Sequence, residues 1–109
     1  MKKINRLINL QALVKKIMEQ DAGTRNCDNY LYLKVISEIA KTKNYDLNAV
    51  SVTDYLSNMS QWGFPPFESV RRTRQKLQQE NPDLASNEAV QGFRTQNEAV
   101  FRAFARGEL

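Results

Sequence analysis

The chain predicts an all-α fold of about five helices, a compact bundle containing a helix-turn-helix-like core. Three observations predict it. Apolar residues recur at a 3.6-residue period in five segments separated by turn formers. Glycine and proline are scarce, 4 and 3 in 109 residues, too few for the turns of a sandwich or barrel. No pair of alternating strands, low-complexity tract or internal repeat interrupts the pattern. The length suits one domain, so residues 1–109 are read as a single unit. Its parts are an N-terminal helix over 1–20, a helix-turn-helix-like core over 28–80 and a C-terminal helix over 86–107.

The first helix is expected over Ile4 to Gln20. Ile4, Leu7, Ile8, Val14, Ile17 and Met18 form its stripe, and Leu10 and Leu13 widen it. Lys15, Lys16 and Glu19 lie opposite. A basic amphipathic helix can bind a membrane or a partner's groove, or simply pack on the domain core or on its own copy. Gly23 is expected to stop it. Asp28 then caps a second helix from about Asn29 to Thr42, with Leu31, Leu33, Val35, Ile36, Ile39 and Ala40 as its apolar positions. Tyr30 and Tyr32 could stack on bases, although tyrosine at a core edge has the same pattern.

Asn44, Asp46 and Asn48 mark a connector. Ser51-Val52-Thr53-Asp54 resembles a capping box, with Val50 and Tyr55 placed as a hydrophobic staple. The third helix therefore starts at Ser51, with Val52, Leu56 and Met59 expected on its inner face. It must stop near Trp62-Gly63, because Pro65 and Pro66 follow. Trp62 is expected to plug the core under that corner. Pro66 suits the first turn of a fourth helix reaching about Glu80, and Glu68 favours the positive end of its dipole. Asn81-Pro82-Asp83 ends it. Ser86 is expected to cap a last helix from about Asn87 to Arg106, ended by Gly107. In it Val90, Phe93, Asn97, Val100 and Phe104 approach heptad spacing, with Ala89 and Phe101 beside them. Asn97 there is either a register-setting polar residue in a helix pair or an ordinary core-edge asparagine.

The fourth helix carries the candidate site. At 100° per residue, Phe67, Val70 and Leu77 share one side and should face the core. Ser69, Arg72, Gln75, Lys76 and Gln79 fall opposite, with Arg71 on a flank. Arg74 falls near the apolar side, where it could snorkel or pair with Asp54 or Glu38. Arginine can grip guanine or phosphate, glutamine can read adenine, and serine and lysine reach phosphates. The candidate nucleic-acid-binding residues are thus Ser69, Arg71, Arg72, Gln75 and Lys76. The same composition also describes a plain solvated face. GFPPF is read as the inter-helix corner, since a proline-rich ligand needs a longer extended run.

Composition narrows the function classes. The net charge of +4 and a pI near 9.4 suit a polyanionic partner without proving one. With no histidine and one cysteine, Cys27, there is no Cys/His zinc set, histidine acid–base pair or internal disulfide. No phosphate-cradling glycine loop or glycine-flanked nucleophile occurs. An enzyme is therefore not expected, nor a metal or other cofactor. The N-terminal Lys2, Lys3 and Arg6 resemble the start of a signal peptide. Asn9, Gln11, Lys15 and Lys16 break any apolar run after them, so a cytoplasmic protein without membrane association is expected.

The segments TRNCDNYLYLKVISEI, GFPPFESVRRTRQKLQQENPDL and FRAFARG resemble small uncharacterised proteins of phages and prophages of Gram-positive bacteria. The shared pattern is an Arg-Asn-(Ser/Cys)-Asp segment before a Leu-Tyr-Leu helix. A Phe-Glu-(Ser/Thr)-Val-(Ser/Arg)-Arg helix with an Asn-Pro-Asp/Glu-Leu stop follows. The resemblance spans Thr24 to Gly107 and transfers no established activity. FESVRRTRQKL is also similar to the second helix of helix-turn-helix and winged-helix regulators, although no β-wing follows Leu77. With the basic face of the fourth helix, the expectation is a small phage-type helix-turn-helix-like DNA-binding protein of the host cytoplasm, a regulator or replication accessory. The alternative is a phage inhibitor of a host protein, such as an anti-CRISPR, acting by protein–protein contact. DNA is the expected partner, with a host protein or a homodimer left open.

Overall fold

The computed structural model describes residues 2–107, with side chains from Leu10 onward except those of Phe101 and Phe104. The expectations for the side chains of Ile4, Leu7, Ile8, Phe101 and Phe104 lie outside the described residues. The element order is α1 (Lys2–Gln20), α2 (Asp28–Lys43), α3 (Val52–Asn58), α4 (Phe67–Glu80) and α5 (Glu88–Ala105). Short 3-10 turns occupy Ala22–Arg25, Leu47–Ala49 and Pro82–Leu84. The fold is all-α, with no strand among the described residues.

Apolar stripes on α1, α2 and α4 meet in the main core. Val14, Ile17 and Met18 of α1 pack with Leu31 and Val35 of α2 and with Val70 and Leu77 of α4. A smaller cluster at the far end of α2 joins Ile36, Ala40 and Phe64, with Tyr55, Met59 and Trp62 against it. Phe64 is the buried plug of that corner, and Trp62 only flanks it. Phe67 sits at the core edge, its ring 5.4 Å from that of Tyr32 in an edge-on contact.

The ends of the helices explain where they stop. Ser51 caps α3, its hydroxyl accepting from the Asp54 N–H at 3.1 Å. The chain keeps turning beyond Asn58: Trp62 N–H donates to Asn58 O, Gly63 N–H to Ser60 O and Phe64 N–H to Met59 O. The last two bonds, with Gly63 at φ +86°, form a Schellman stop whose apolar contact joins Phe64 to Met59. A glycine meets the positive φ without the Cβ penalty. Asn44 does the same for α2 at φ 59°, with Tyr45 N–H returning to Ala40 O.

Several local expectations are corrected. Gly23 does not stop α1; it lies in the 3-10 turn, and its N–H donates to Asp21 Oδ1 at 2.9 Å. Cys27, not Asp28, is the N-cap of α2, because the Asp28 carboxylate is engaged by arginines from distant helices. Pro66 is the N-cap of α4 and not its first-turn residue. Asn87, not Ser86, caps α5 by accepting from the Val90 N–H at 2.9 Å, while Ser86 is buried. On α3, Val52 and Leu56 point outward, 75% and 64% exposed, because Tyr55 and Met59 take the inner face. Leu33 on α2 is likewise exposed.

The molecule extends 43 × 34 × 30 Å, with a radius of gyration of 15.4 Å. A compact chain of this length would have about 13 Å. Among the described residues, the side-chain bonds that fasten α5 to the body gather near its N-terminal end.

Candidate nucleic-acid interface

The rotation of α4 is set from inside. Val70 and Leu77 anchor it in the core, and between them Arg74 is buried. The sequence left Arg74 to snorkel or to pair with Asp54 or Glu38. Its partner is Asp28, at the start of α2. Arg74 Nε donates to Asp28 Oδ1 at 2.8 Å and Nη2 to Oδ2 at 3.1 Å, a two-pronged fork. The third nitrogen, Nη1, donates to Gln78 Oε1 at 3.2 Å. Gln78 passes its own amide protons to the carbonyls of Arg25 and Leu84.

The same corner holds two further elements. Arg25 Nε donates to Met18 O at 2.8 Å and so closes the C-terminal end of α1. Arg94 of α5 donates to Arg25 O at 3.1 Å and lies 3.5 Å from Asp28 Oδ1. Asn26 Oδ1 receives the Asn87 N–H at 2.9 Å, which fixes the entry of α5. The run Arg25-Asn26-Cys27-Asp28 is thus the joint of α1, α2, α4 and α5. Burial, with Arg74 close by, holds Arg94 below the usual guanidinium range, and Asp28 opposes the shift. Among the described residues, no buried side-chain nitrogen or oxygen lacks a partner.

With Arg74 turned inward, Arg72 and Lys76 point outward. Glu68 sits beside them in the first turn of α4. Its carboxylate takes Nε and Nη2 of Arg71 and, at 3.2 Å, Nε of Arg72. The bonds from Arg71 above all, then those from Arg72, hold the Glu68 carboxyl below the ordinary carboxylate range. The Glu68 carboxylate correspondingly raises Arg71.

An open polar cleft of about 1070 Å³ separates α4 from α5. Arg71, Gln75 and Gln78 line one wall, Gln91, Glu98 and Arg102 the other, and Asp28 and Arg74 the floor. Its four arginines face three carboxylates, so most of its charge is neutralised internally.

The five sequence-derived candidates therefore divide. Arg72 and Lys76 are exposed on the outer side, with Ser69 half-buried at the same end. Arg71 and Gln75 turn to the cleft. Asp28, Arg25, Asn26, Gln78 and Arg94 form a network that residue-type reasoning passed over. Its one sequence signal was the Arg-Asn-Cys-Asp run, which spacing alone connects to nothing.

Among the described residues, no group of three or more metal-ligating side chains occurs. No helix among them is long and apolar enough to cross a membrane. Comparison with protein-family models, with curated proteins and with solved structures finds no match to this chain.

Proposed function

We propose that this protein is a small binding protein, not an enzyme, and that the outer side of α4 contacts DNA in the manner of a helix-turn-helix recognition helix. What supports this reading is the inward lock of Arg74 on Asp28. It leaves Arg72 and Lys76 side by side on the solvent face of a helix that cannot easily roll. Ser69 adds a hydroxyl at the entry, and Arg71 reaches from the flank. Cationic side chains on a firmly seated helix are the elements of phosphate positioning, with arginine also able to read a base edge. Two features differ from a compact helix-turn-helix. Eight residues, 59–66, separate α3 from α4, and Glu68 already engages Arg71 and Arg72. Such a site would act by general phosphate attraction with modest base readout, as a phage regulator or replication accessory in the host cytoplasm could use.

The test is a salt titration with a fluorescent duplex. Two or three phosphate contacts predict that log affinity falls against log salt with a slope of about −2 to −3. Arg72→Glu with Lys76→Glu should abolish binding while leaving the circular dichroism spectrum unchanged. Glu68→Gln should instead strengthen it, because both neighbouring guanidinium groups lose their internal competitor. No binding to any duplex at low salt, or binding indifferent to the double substitution, removes α4 from the role.

A second reading rests on a different surface. Val52 and Leu56, one turn apart on α3, offer an exposed apolar pair, as an inhibitor of a host protein such as an anti-CRISPR would need for protein–protein contact. Capture of one host enzyme by the wild-type chain, lost in Leu56→Asp, would favour it.

A further inference from the structure

α5 is mounted with its polar side inward. Gln91, Thr95, Asn97, Glu98 and Arg102 line the cleft beside α4. The residues half a turn away, Phe93 and Val100, face solvent at 64% and 53% exposure. Ala89 is exposed on the same side, and Val90 and Ala103 flank it half-buried. An amphipathic helix of a one-chain domain normally buries its apolar stripe and wets the other. Among the described side chains of α5 the arrangement is reversed. The bonds that impose it are specific, since Arg94 reaches Asp28 and the Arg25 carbonyl while Asn26 holds the first turn. Rolling α5 to bury Phe93 would break all of them.

We propose that the outer face of α5 is where a second copy of this chain binds, the two α5 helices packing against each other. Two observations select a copy over another occupant. The first is spacing: the exposed Ala89, Phe93, Gln96 and Val100 follow the alternating four and three of a paired-helix seam. The second is charge. In a two-fold contact each patch meets itself, so a charge at its centre would face its like. The seam residues carry none, and Arg94, Glu98 and Arg102 all turn the other way. An uncharged stripe also offers nothing to a polyanion.

The extent of the stripe sets the strength. From Ala89 to Ala103 it runs about 21 Å at 1.5 Å per residue. Two such faces would bury on the order of 1,000 Å² in total, at the low end of specific interfaces. A concentration-dependent dimer that dissociates in the micromolar range is expected. The inference is independent of the DNA reading, since the surfaces are different.

Sedimentation velocity of the full chain from about 1 to 300 μM tests it. Monomer should give way to dimer across that range. Phe93→Glu with Val100→Glu, both at exposed positions, should shift the midpoint at least tenfold upward while the helical dichroism at low concentration is retained. In a Cys27→Ser background, Gln96→Cys should oxidise to a linked dimer, and Thr95→Cys on the cleft side should not. A monomer throughout the range overturns the proposal, whether the stripe is then covered by the chain's own N-terminal residues or by a lipid surface detected with vesicles. A dimer unaffected by the double substitution also overturns it.

Discussion

At the scale of single residues, Asp28 carries more of the architecture than any other polar group. Its carboxylate sits between Arg74 and Arg94, one buried and the other largely so. Removing one partner of such a pair leaves a charge without water or a counter-ion, which costs about 3–5 kcal/mol. Asp28→Ala should therefore destabilise the protein by roughly that amount in urea unfolding, because it strands two cations at once. Arg74→Met should cost clearly less, since an apolar chain of similar length fits between Val70 and Leu77 and Arg94 still neutralises Asp28. A larger loss for Arg74→Met would mean that the fork, and not the avoidance of stranded charge, holds the corner. The sequence placed Arg74 near the apolar face, because helical spacing is local. It could not choose Asp28 over Asp54 or Glu38, because that partner lies 46 residues away and is found only once α2 and α4 are packed.

At the scale of elements, the link between α2 and the α3–α4 connector is a chain of two phenols. Tyr32 donates to Pro65 O at 2.8 Å, so its oxygen must accept the proton of Tyr55, 2.6 Å away. Burial first raises both groups above the ordinary tyrosine value of 10.0, and for Tyr55 the proton it donates raises it further. A folded value above the unfolded one means that the contribution is complete below about pH 10 and lost as the pH rises beyond it. In an alkaline titration at 295 nm, Tyr32 and Tyr55 should ionise only together with the loss of helical dichroism. Ionisation of these two with the fold intact would contradict this assignment. Which helix ends were legible follows the same local logic. Ser51 and Gly63 were read correctly because cap and stop act within a few residues. Ser86 and Asn87 are both capable caps, and burial of Ser86 decides between them. In α3, seven residues are too few for a period to say whether Leu56 or Tyr55 faces inward.

At the scale of the whole molecule, two parts differ in how they are held. The body of α1, α2 and α4 shares one apolar core, and α5 is attached by polar bonds at its first two turns. Opening free energies should follow that division. Amide exchange at low concentration should be slowest at Leu31, Val35 and Leu77 and fastest in the last turns of α5. At high concentration the α5 amides should slow, and the core amides should not. Uniform protection along the chain would show that α5 is held as firmly as the body. The all-α class and the number of helices were legible because they depend on period and punctuation. The outward mounting of α5 was not, because a stripe of Val90, Phe93 and Val100 reads alike whichever way it turns.

The chain's one cysteine, Cys27, is exposed beside that polar joint, two residues after Arg25 and one before Asp28. A spin label or dye attached there would sit at the pivot between body and arm without any engineered handle. Its signal would report α5 leaning toward or away from α4 as DNA or a second copy is added, so one labelled preparation could distinguish the two binding events.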